Sequence, residues 1–423
     1  MNYVFFLPIF YVNLTIFPIT PKYQQTILTH SCHCGNLIYI QRKIRKGTDF
    51  SMKCIKKNLG NLAPKYPIEK FCIPKQTLFL DIETTGLYAK SSSLYLIGCI
   101  YFDTVQDTWH TIQWFAQTYD EEATILHAFI TFAKDYRYII HFNGNHFDIP
   151  YLEQKIKQYQ LSFSFHNYEG IDIYRRIVPY KAFLKLPNCK QKTIESFLNT
   201  NREDTYTGGE LIDIYHEYVL SHDLEKEKFL LLHNEEDIKG LLDVVGALAI
   251  SDLIHEPIKV TKVQANYYTD IDQKQAPELI MNLHFLSPLP TTISYSANGC
   301  YFIGEKTEGK LRVPMFEGEL KYFYANYKDY YYLPQEDVAI HKSVASFVDK
   351  EYREQAHASN CYTKKESTYL PQWDVLFTPF FKKDYKDTDL FFELTDEFKT
   401  KREAFNQYAQ HILQMMVSYK ISP

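Results

Sequence analysis

Residues 79–87, Phe79-Leu80-Asp81-Ile82-Glu83-Thr84-Thr85-Gly86-Leu87, decide the fold. With Thr77-Leu78 ahead of them they make a short apolar run that ends on an acid. Thr84-Thr85-Gly86 then supplies turn chemistry, so the segment reads as a buried strand. Asp81 and Glu83 are two residues apart, and the period of two along a strand sends both carboxylates to one side, where they can share a cation. An isolated Asp-x-Glu is more often a strand end with merely solvated acids. The LFL run before it and the TTG turn after it shift that balance.

Working outward, Tyr95 to Phe102 and Thr108 to Phe115 read as the next two strands, joined as a hairpin through the polar stretch at Asp103 to Asp107. Glu121 to Lys134 has helical character, and Tyr138 to Phe142 is another apolar run. Ile149, Leu152, Ile156 and Tyr159 recur at helical spacing. Ile171 to Ile173 suits a fifth strand, and Ile238, Leu241, Leu242, Val245 and Leu248 form the apolar stripe of a later helix. Strands first, then strand and helix in alternation, describe an α/β mixed sheet flanked by helices. Beyond about residue 252 the runs become short and Tyr-rich, which predicts a smaller β-rich extension. It ends in a helix with Thr395 as N-cap and Phe398, Phe405, Tyr408, Ile412, Met415 and Tyr419 on one face.

Two more acidic sites follow the first. Asp148 closes His141-Phe142-Asn143-Gly144-Asn145-His146-Phe147-Asp148, directly after an apolar strand and before a helix with Pro150 in its first turn. That is also how a plain N-cap looks. His233 and Asp237, in His233-Asn234-Glu235-Glu236-Asp237, are four apart on a predicted helix and project from one face. Alone, such a pair is more often an exposed helix pair than a catalytic one.

Together these elements resemble the DEDD 3′-5′ exonuclease superfamily of the ribonuclease H-like fold, through FLDIETTGL, HFNGNHFD and HNEED. Within it the likeness is closest to the YprB-like ribonuclease H-like domain proteins. It extends to IDIYRRIVPYKAFLKLPNCKQKTIESFL and TGGELIDIYHEYV and covers roughly residues 77–250. The resemblance implies a site in which Asp81, Glu83, Asp148 and Asp237 hold two hard, oxygen-preferring cations, Mg²⁺ or Mn²⁺. Such a pair stabilises both the attacking and the leaving oxygen of an in-line displacement at phosphorus. The family also places a general base here, a Tyr four residues before the last Asp or a His five before it. His233, a His at the four-before position, takes that role among the catalytic residues. Thr84, Thr85, Gly86, Leu87, Asn143 and Phe147 are expected to face the nucleic acid, with Asn143 and Phe147, which match the second motif, shaping the site; Arg175 and Arg176 are expected to join them on the ground of charge.

Composition sets bounds on this reading. The chain has 423 residues, 45% of them hydrophobic and 23% charged, which suits a globular protein of more than one average domain. Its formal net charge of -5 argues against a general nucleic-acid coat protein, which needs many phosphate-neutralising cations. One local track offsets this: Arg175, Arg176, Lys181, Lys185, Lys190 and Lys192 fall between Tyr174 and Thr193 with no acid among them. It reads equally well as a solvated face. The cluster Tyr322, Phe323, Tyr324, Tyr327, Tyr330, Tyr331 and Tyr332 offers stacking surface for bases, although aromatic pairing within a sheet is the commoner use. Eight scattered Cys read as reduced thiols of a cytoplasmic protein, and Cys32-His33-Cys34 lacks a second ligand pair for zinc.

The uncharged run from Met1 to Pro21 is broken by Pro8 and Pro18 and has no basic flank before it, so neither secretion nor stable membrane association is expected. Residues 1–51 read as doubtful, with translation expected to begin at Met52. Residues 52–76 then form a leader, 77–252 the exonuclease domain and 253–423 an extension. The expected partner is the 3′ end of single-stranded DNA or RNA. The rival is a non-catalytic nucleic-acid-binding or scaffold protein that keeps the fold.

Overall fold

The computed structural model describes residues 37–39, 52–204, 206–269 and 273–418. The run from Met1 to Pro21, the Cys32-His33-Cys34 trio and Tyr419 lie outside the described residues.

The decisive stretch lies on an interior strand of a seven-stranded mixed sheet. The strands are β1 (Leu37–Tyr39), β2 (Lys53–Asn58), β3 (Thr77–Thr84), β4 (Leu94–Asp103), β5 (Thr108–Phe115), β6 (Tyr138–His141) and β7 (Glu169–Asp172). Their order across the sheet is β1-β2-β5-β4-β3-β6-β7. β3 pairs antiparallel with β4 and parallel with β6, which is parallel in turn to β7. Leu78, Phe79 and Leu80 are fully buried, as a strand covered on both faces requires. A register shift between Glu83 and Thr84 marks a bulge where β3 leaves the sheet, a common device at the edge of a functional site.

Helices cover both faces: α1 (Glu122–Ala133), α2 (Asp148–Gln158), α3 (Ile173–Ile177), α4 (Gln191–Phe197), α5 (Gly208–Ser221), α6 (Leu224–Val244) and α7 (Ala249–His255). On one face Leu80, Ile97, Phe129, Leu152 and Tyr215 share a core. On the other, Phe79, Ile140, Ile194 and Leu241 belong to a core that continues without a break into the C-terminal region.

That region is β-rich. β8 (Lys259–Thr269), β9 (Gln275–His284), β10 (Ile293–Ala297), β11 (Cys300–Glu305) and β12 (Glu308–Pro314) form a sheet of order β10-β11-β12-β9-β8. A four-stranded and a three-stranded sheet follow, and the region ends in a helix over Arg402–Ser418.

Three expectations need correction. Residues 52–76 are more than a leader: β2 pairs with β5 and extends the sheet, and Tyr66 donates to Asp252 Oδ2 at 2.9 Å. The fifth strand is Glu169–Asp172, and Ile173 instead opens α3, because Asp172 caps that helix by accepting from Arg175 N. The terminal helix is two helices. Thr395 caps a short one, Asp396–Thr400, and the longer one starts afresh at Arg402 after Lys401 leaves helical geometry.

Candidate active site

The floor of the site is one rung of the sheet. Asp81 on β3, Gly98 on β4 and Gln113 on β5 are lateral neighbours in register. Asn234 of α6 lies fully buried across all three. Its Oδ1 accepts from Gln113 Nε2 at 3.0 Å, and its Nδ2 donates to Asp81 Oδ2 at 3.0 Å. The Gln113 contact fixes which way the amide points, so the NH₂ group faces the acid. A Cβ on residue 98 would sit 2.0 Å from Asn234 Oδ1, so only glycine lets α6 come this close.

Around that floor the structure gathers Asp81, Glu83, Asp148, His233 and Asp237. Burial pushes the Asp81 carboxyl well above the usual range. The charges of Asp237, Glu83 and Asp148 add to this, and the Asn234 hydrogen bond opposes it. Burial does the same to Glu83, helped by Asp237 and Asp148. Asp148 is pushed up to about 7, mainly by burial, although its own backbone N–H and that of Ile82 pull the other way. Buried acids crowded so that each raises its neighbours' proton affinity fit a divalent cation, whose charge lets them ionise together. Glu83, His233 and Asp237 each bring one donor atom within 4.8 Å of the others, a mixed oxygen and nitrogen set.

Asp148 is not the N-cap that its setting suggests. It is the first residue of α2, and its Oδ1 accepts from Ile82 N across the sheet at 3.3 Å. The loop before it is held by β7. Asp172 accepts from Asn143 N at 3.0 Å and from Asn145 N at 3.3 Å, while Asn143 takes a φ of 60°. His141, which accepts from Gly144 N at 3.1 Å, is fully buried beneath the loop, and burial brings its pKa down to about 4. It serves there as a neutral brace.

Reading the sequence missed four residues of this site. Asn234 and Gly98 were passed over, as were two residues of the loop after α4. Asp204 Oδ2 lies 2.7 Å from His233 Nδ1. Burial alone would raise the Asp204 carboxyl, but Lys192 and His233 outweigh it and hold the carboxyl below its ordinary value. Arg202 is forked between Glu195 of α4 and Asp237. No periodicity marks residues 199–206. The signal that was available is the His233-Asn234 dipeptide, two polar residues one turn before the apolar stripe of Ile238, Leu241 and Leu242 on the same helix.

The residues expected to face nucleic acid fall at the same end of the sheet. Thr84 Oγ1 donates to Gly86 O at 2.9 Å and Thr85 Oγ1 accepts from Ser93 N at 2.8 Å, which closes the turn, and Leu87 is 76% exposed. Phe147 packs on Tyr151 with ring centres 5.6 Å apart. Arg175 and Arg176 are exposed on α3, and Arg176 stacks on Phe71 at 4.7 Å. Lys192 is taken up by Asp204 at 3.0 Å, so the basic run is only partly a solvent-facing track. The aromatic cluster pairs internally, with Tyr324 and Tyr330 stacked at 4.4 Å.

Residues 78–249, less than half of the chain, match the RNase_H superfamily. With the strand order and the mixed pairing above, that match decides the fold. Residues 78–249 form a ribonuclease H-like domain. No curated protein matches the chain. Among solved structures, exonuclease I in its apo form is 12% identical, covers 50% of this chain and 56% of that one, and has a TM-score of 0.26. Exonuclease I of E. coli in complex with a dT13 oligonucleotide is 10% identical, with 50% and 55% covered and a TM-score of 0.25. The chain spans little more than half the length of these proteins, and a likeness at that level carries no weight for substrate or reaction. No helix among the described residues is long and apolar enough to cross a membrane.

Proposed function

We propose that the ribonuclease H-like domain is a metal-dependent 3′-5′ exonuclease of the DEDD type that hydrolyses single-stranded DNA or RNA in the cytoplasm. The observation that carries the reading is the convergence of Asp81, Glu83, Asp148 and Asp237 into one cluster, half-buried at Asp81 and Asp237 and buried at the other two, in which burial and mutual repulsion raise the carboxyls of Asp81, Glu83 and Asp148 and favour cations. In this reading the four acids hold two divalent ions, Mg²⁺ or Mn²⁺, which when bound supply charge stabilisation for the phosphodiester displacement. His233 works beside them. Thr84 to Leu87, Asn143, Phe147, Arg175 and Arg176 hold the strand, the arginines through phosphates. The motif likeness to the YprB-like proteins supports the same assignment.

The experiment is digestion of 3′- and 5′-labelled single-stranded DNA and RNA with Mg²⁺ or Mn²⁺, comparing the protein with Asp81→Ala. Laddering from the 3′ end that needs metal and is lost in the variant is the expected result. One observation favours a non-catalytic nucleic-acid-binding protein instead: the Arg202 guanidinium already occupies one oxygen of Asp237. Binding of labelled strands with no cleavage by either protein would support that second reading.

A further inference from the structure

We propose that His233 is a nitrogen ligand to a metal ion shared with Glu83 and Asp237, held in its ligating orientation by Asp204, and that this position takes Mn²⁺ in preference to Mg²⁺. The inference rests on the metal-dependent reading above and assigns a role to the imidazole within it.

The first ground is where the free ring nitrogen points. His233 Nε2 lies 3.3 Å from Asp237 Oδ2 and 3.9 Å from Glu83 Oε1. An octahedral ion with bonds of about 2.1 Å holds adjacent ligands about 3.0 Å apart and opposite ones about 4.2 Å apart. The first separation is within about 0.3 Å of the adjacent spacing and the second within about 0.3 Å of the opposite one. The Nε2 atom is turned inward between the two carboxylates, on a side chain that is only 6% exposed.

The second ground is what holds the other nitrogen. Asp204 Oδ2 is 2.7 Å from His233 Nδ1, and Asp204 is itself fixed by Lys192 Nζ at 3.0 Å and by Tyr206 N, which donates to Oδ1 at 3.0 Å. A carboxylate on Nδ1 keeps the proton there and leaves the Nε2 lone pair facing the acids. This is the carboxylate–histidine–metal arrangement that orients ligating imidazoles and raises their basicity. Asp204 is a positioning residue in this scheme, since it lies behind the ring.

The third ground is the chemistry of the donor set. Carboxylates alone suit Mg²⁺, whereas an imidazole nitrogen moves the preference toward first-row transition ions, of which Mn²⁺ still accepts a carboxylate-rich shell. Mg²⁺ dehydrates reluctantly and gains little from nitrogen.

The test needs no substrate. Mn²⁺ bound to the full chain is examined by pulsed electron paramagnetic resonance, in which a directly bonded nitrogen modulates the echo, and its affinity is measured by calorimetry beside that of Mg²⁺. Nitrogen modulation is expected in the unaltered protein, with Mn²⁺ held at least about tenfold tighter than Mg²⁺. His233→Gln is expected to lose the modulation. Asp204→Asn is expected to keep it and to weaken Mn²⁺ by about 10- to 100-fold, the usual cost of losing an outer-shell partner. Bound Mn²⁺ without nitrogen modulation in the unaltered protein overturns the proposal, and that result does not depend on any variant folding. Unchanged Mn²⁺ affinity in a folded His233→Gln whose cleavage is slowed makes His233 a base and likewise overturns it. Nitrogen-bound Mn²⁺ in a protein that cleaves no strand would sink the exonuclease reading and leave this one standing.

Discussion

At the scale of single residues, the site shows how strongly one buried rung of sheet constrains what sits above it. Gly98 is required because Asn234 occupies the space a side chain would need. Gly98→Ala should push the amide off both Gln113 and Asp81, leaving buried polar groups unmatched at a cost of about 1–3 kcal/mol. A fall in urea midpoint with weaker Mn²⁺ binding would report it, and an unchanged midpoint would show that α6 can yield. Asp148 gives a pH-dependent test. Its folded pKa of about 7, raised mainly by burial, stands above the value of about 3.9 for an unfolded chain. Between those values the folded protein keeps a proton that the unfolded chain has lost. Stability without metal therefore falls as pH rises through that window and stays low above it. Asp148→Asn keeps an acceptor for Ile82 N but cannot ionise. It should match the parent near pH 4 and exceed it at pH 8 by on the order of 2 kcal/mol, less than the full linkage because neighbouring acids share the protons. Metal-free urea titrations at pH 4 and pH 8 decide this, and a gap that does not change with pH would rule the idea out.

At the scale of elements, what could be read from the chain is what repeats. The apolar LFL run before Asp81, the two runs joined through Asp103 to Asp107 and the helical stripe from Ile149 all carry a local hydrophobic pattern, and they appear as β3, the β4–β5 pair and α2. Asp81, Glu83, Asp148, His233 and Asp237 also sit on regular elements or at their ends, but it is the likeness of FLDIETTGL, HFNGNHFD and HNEED to a known family, not the pattern, that singles them out. Asp204 and Arg202 were not found, because they lie in an aperiodic loop whose position is set by a tertiary contact between α4 and α6. Strand β2 was missed for a related reason. Its sequence, Lys53-Cys54-Ile55-Lys56-Lys57-Asn58, is too basic to look like sheet until the acids of α6 are placed beside it, Glu227 against Lys53 and Glu235 against Lys57. The α4–α6 crossing can be tested on its own. A Cβ at Gly240 would meet Glu195 Oε1 at 2.0 Å and Gln191 Nε2 at 2.8 Å. Gly240→Ala should part the helices, free Arg202 from its fork with Glu195 and Asp237, and cost about 1–3 kcal/mol, the range for overpacking a tight contact. Faster amide exchange in α4 and at residues 199–204, with the β3–β4 pair still protected, is the expected pattern. Equal loss of protection throughout the sheet would mean that the crossing does not act as a local unit.

At the scale of the whole molecule, the composition shift near residue 252 looks like a boundary, yet the packing does not pause there. Leu241, Val245, Ile250 and Ile254 of the helical part share one buried core with Leu279, Met281 and Phe302 of the following sheet and with Tyr408, Ile412 and Met416 of the last helix. Polar contacts cross as well. Gln410 Nε2 donates to Ile254 O at 2.5 Å and Asn406 Oδ1 accepts from Val260 N at 2.7 Å, so the last helix clasps both the end of α7 and the start of β8. Removing everything after residue 256 would expose the apolar face of α6 and α7, at roughly 25 cal/mol for each Å² returned to water. Native domains are stable by only about 5–15 kcal/mol, so a few hundred Å² of newly exposed apolar surface uses up most of that margin. The fragment 52–256 is therefore expected to be aggregated or non-cooperative in thermal unfolding, although it holds every residue of the proposed metal site. The opposite outcome, a monomeric fragment that melts in one sharp transition within a few degrees of the full chain and binds Mn²⁺ as well, would mean that the shared core contributes little to the domain. The C-terminal region would then have to be explained by what it contacts in a substrate rather than by what it buries.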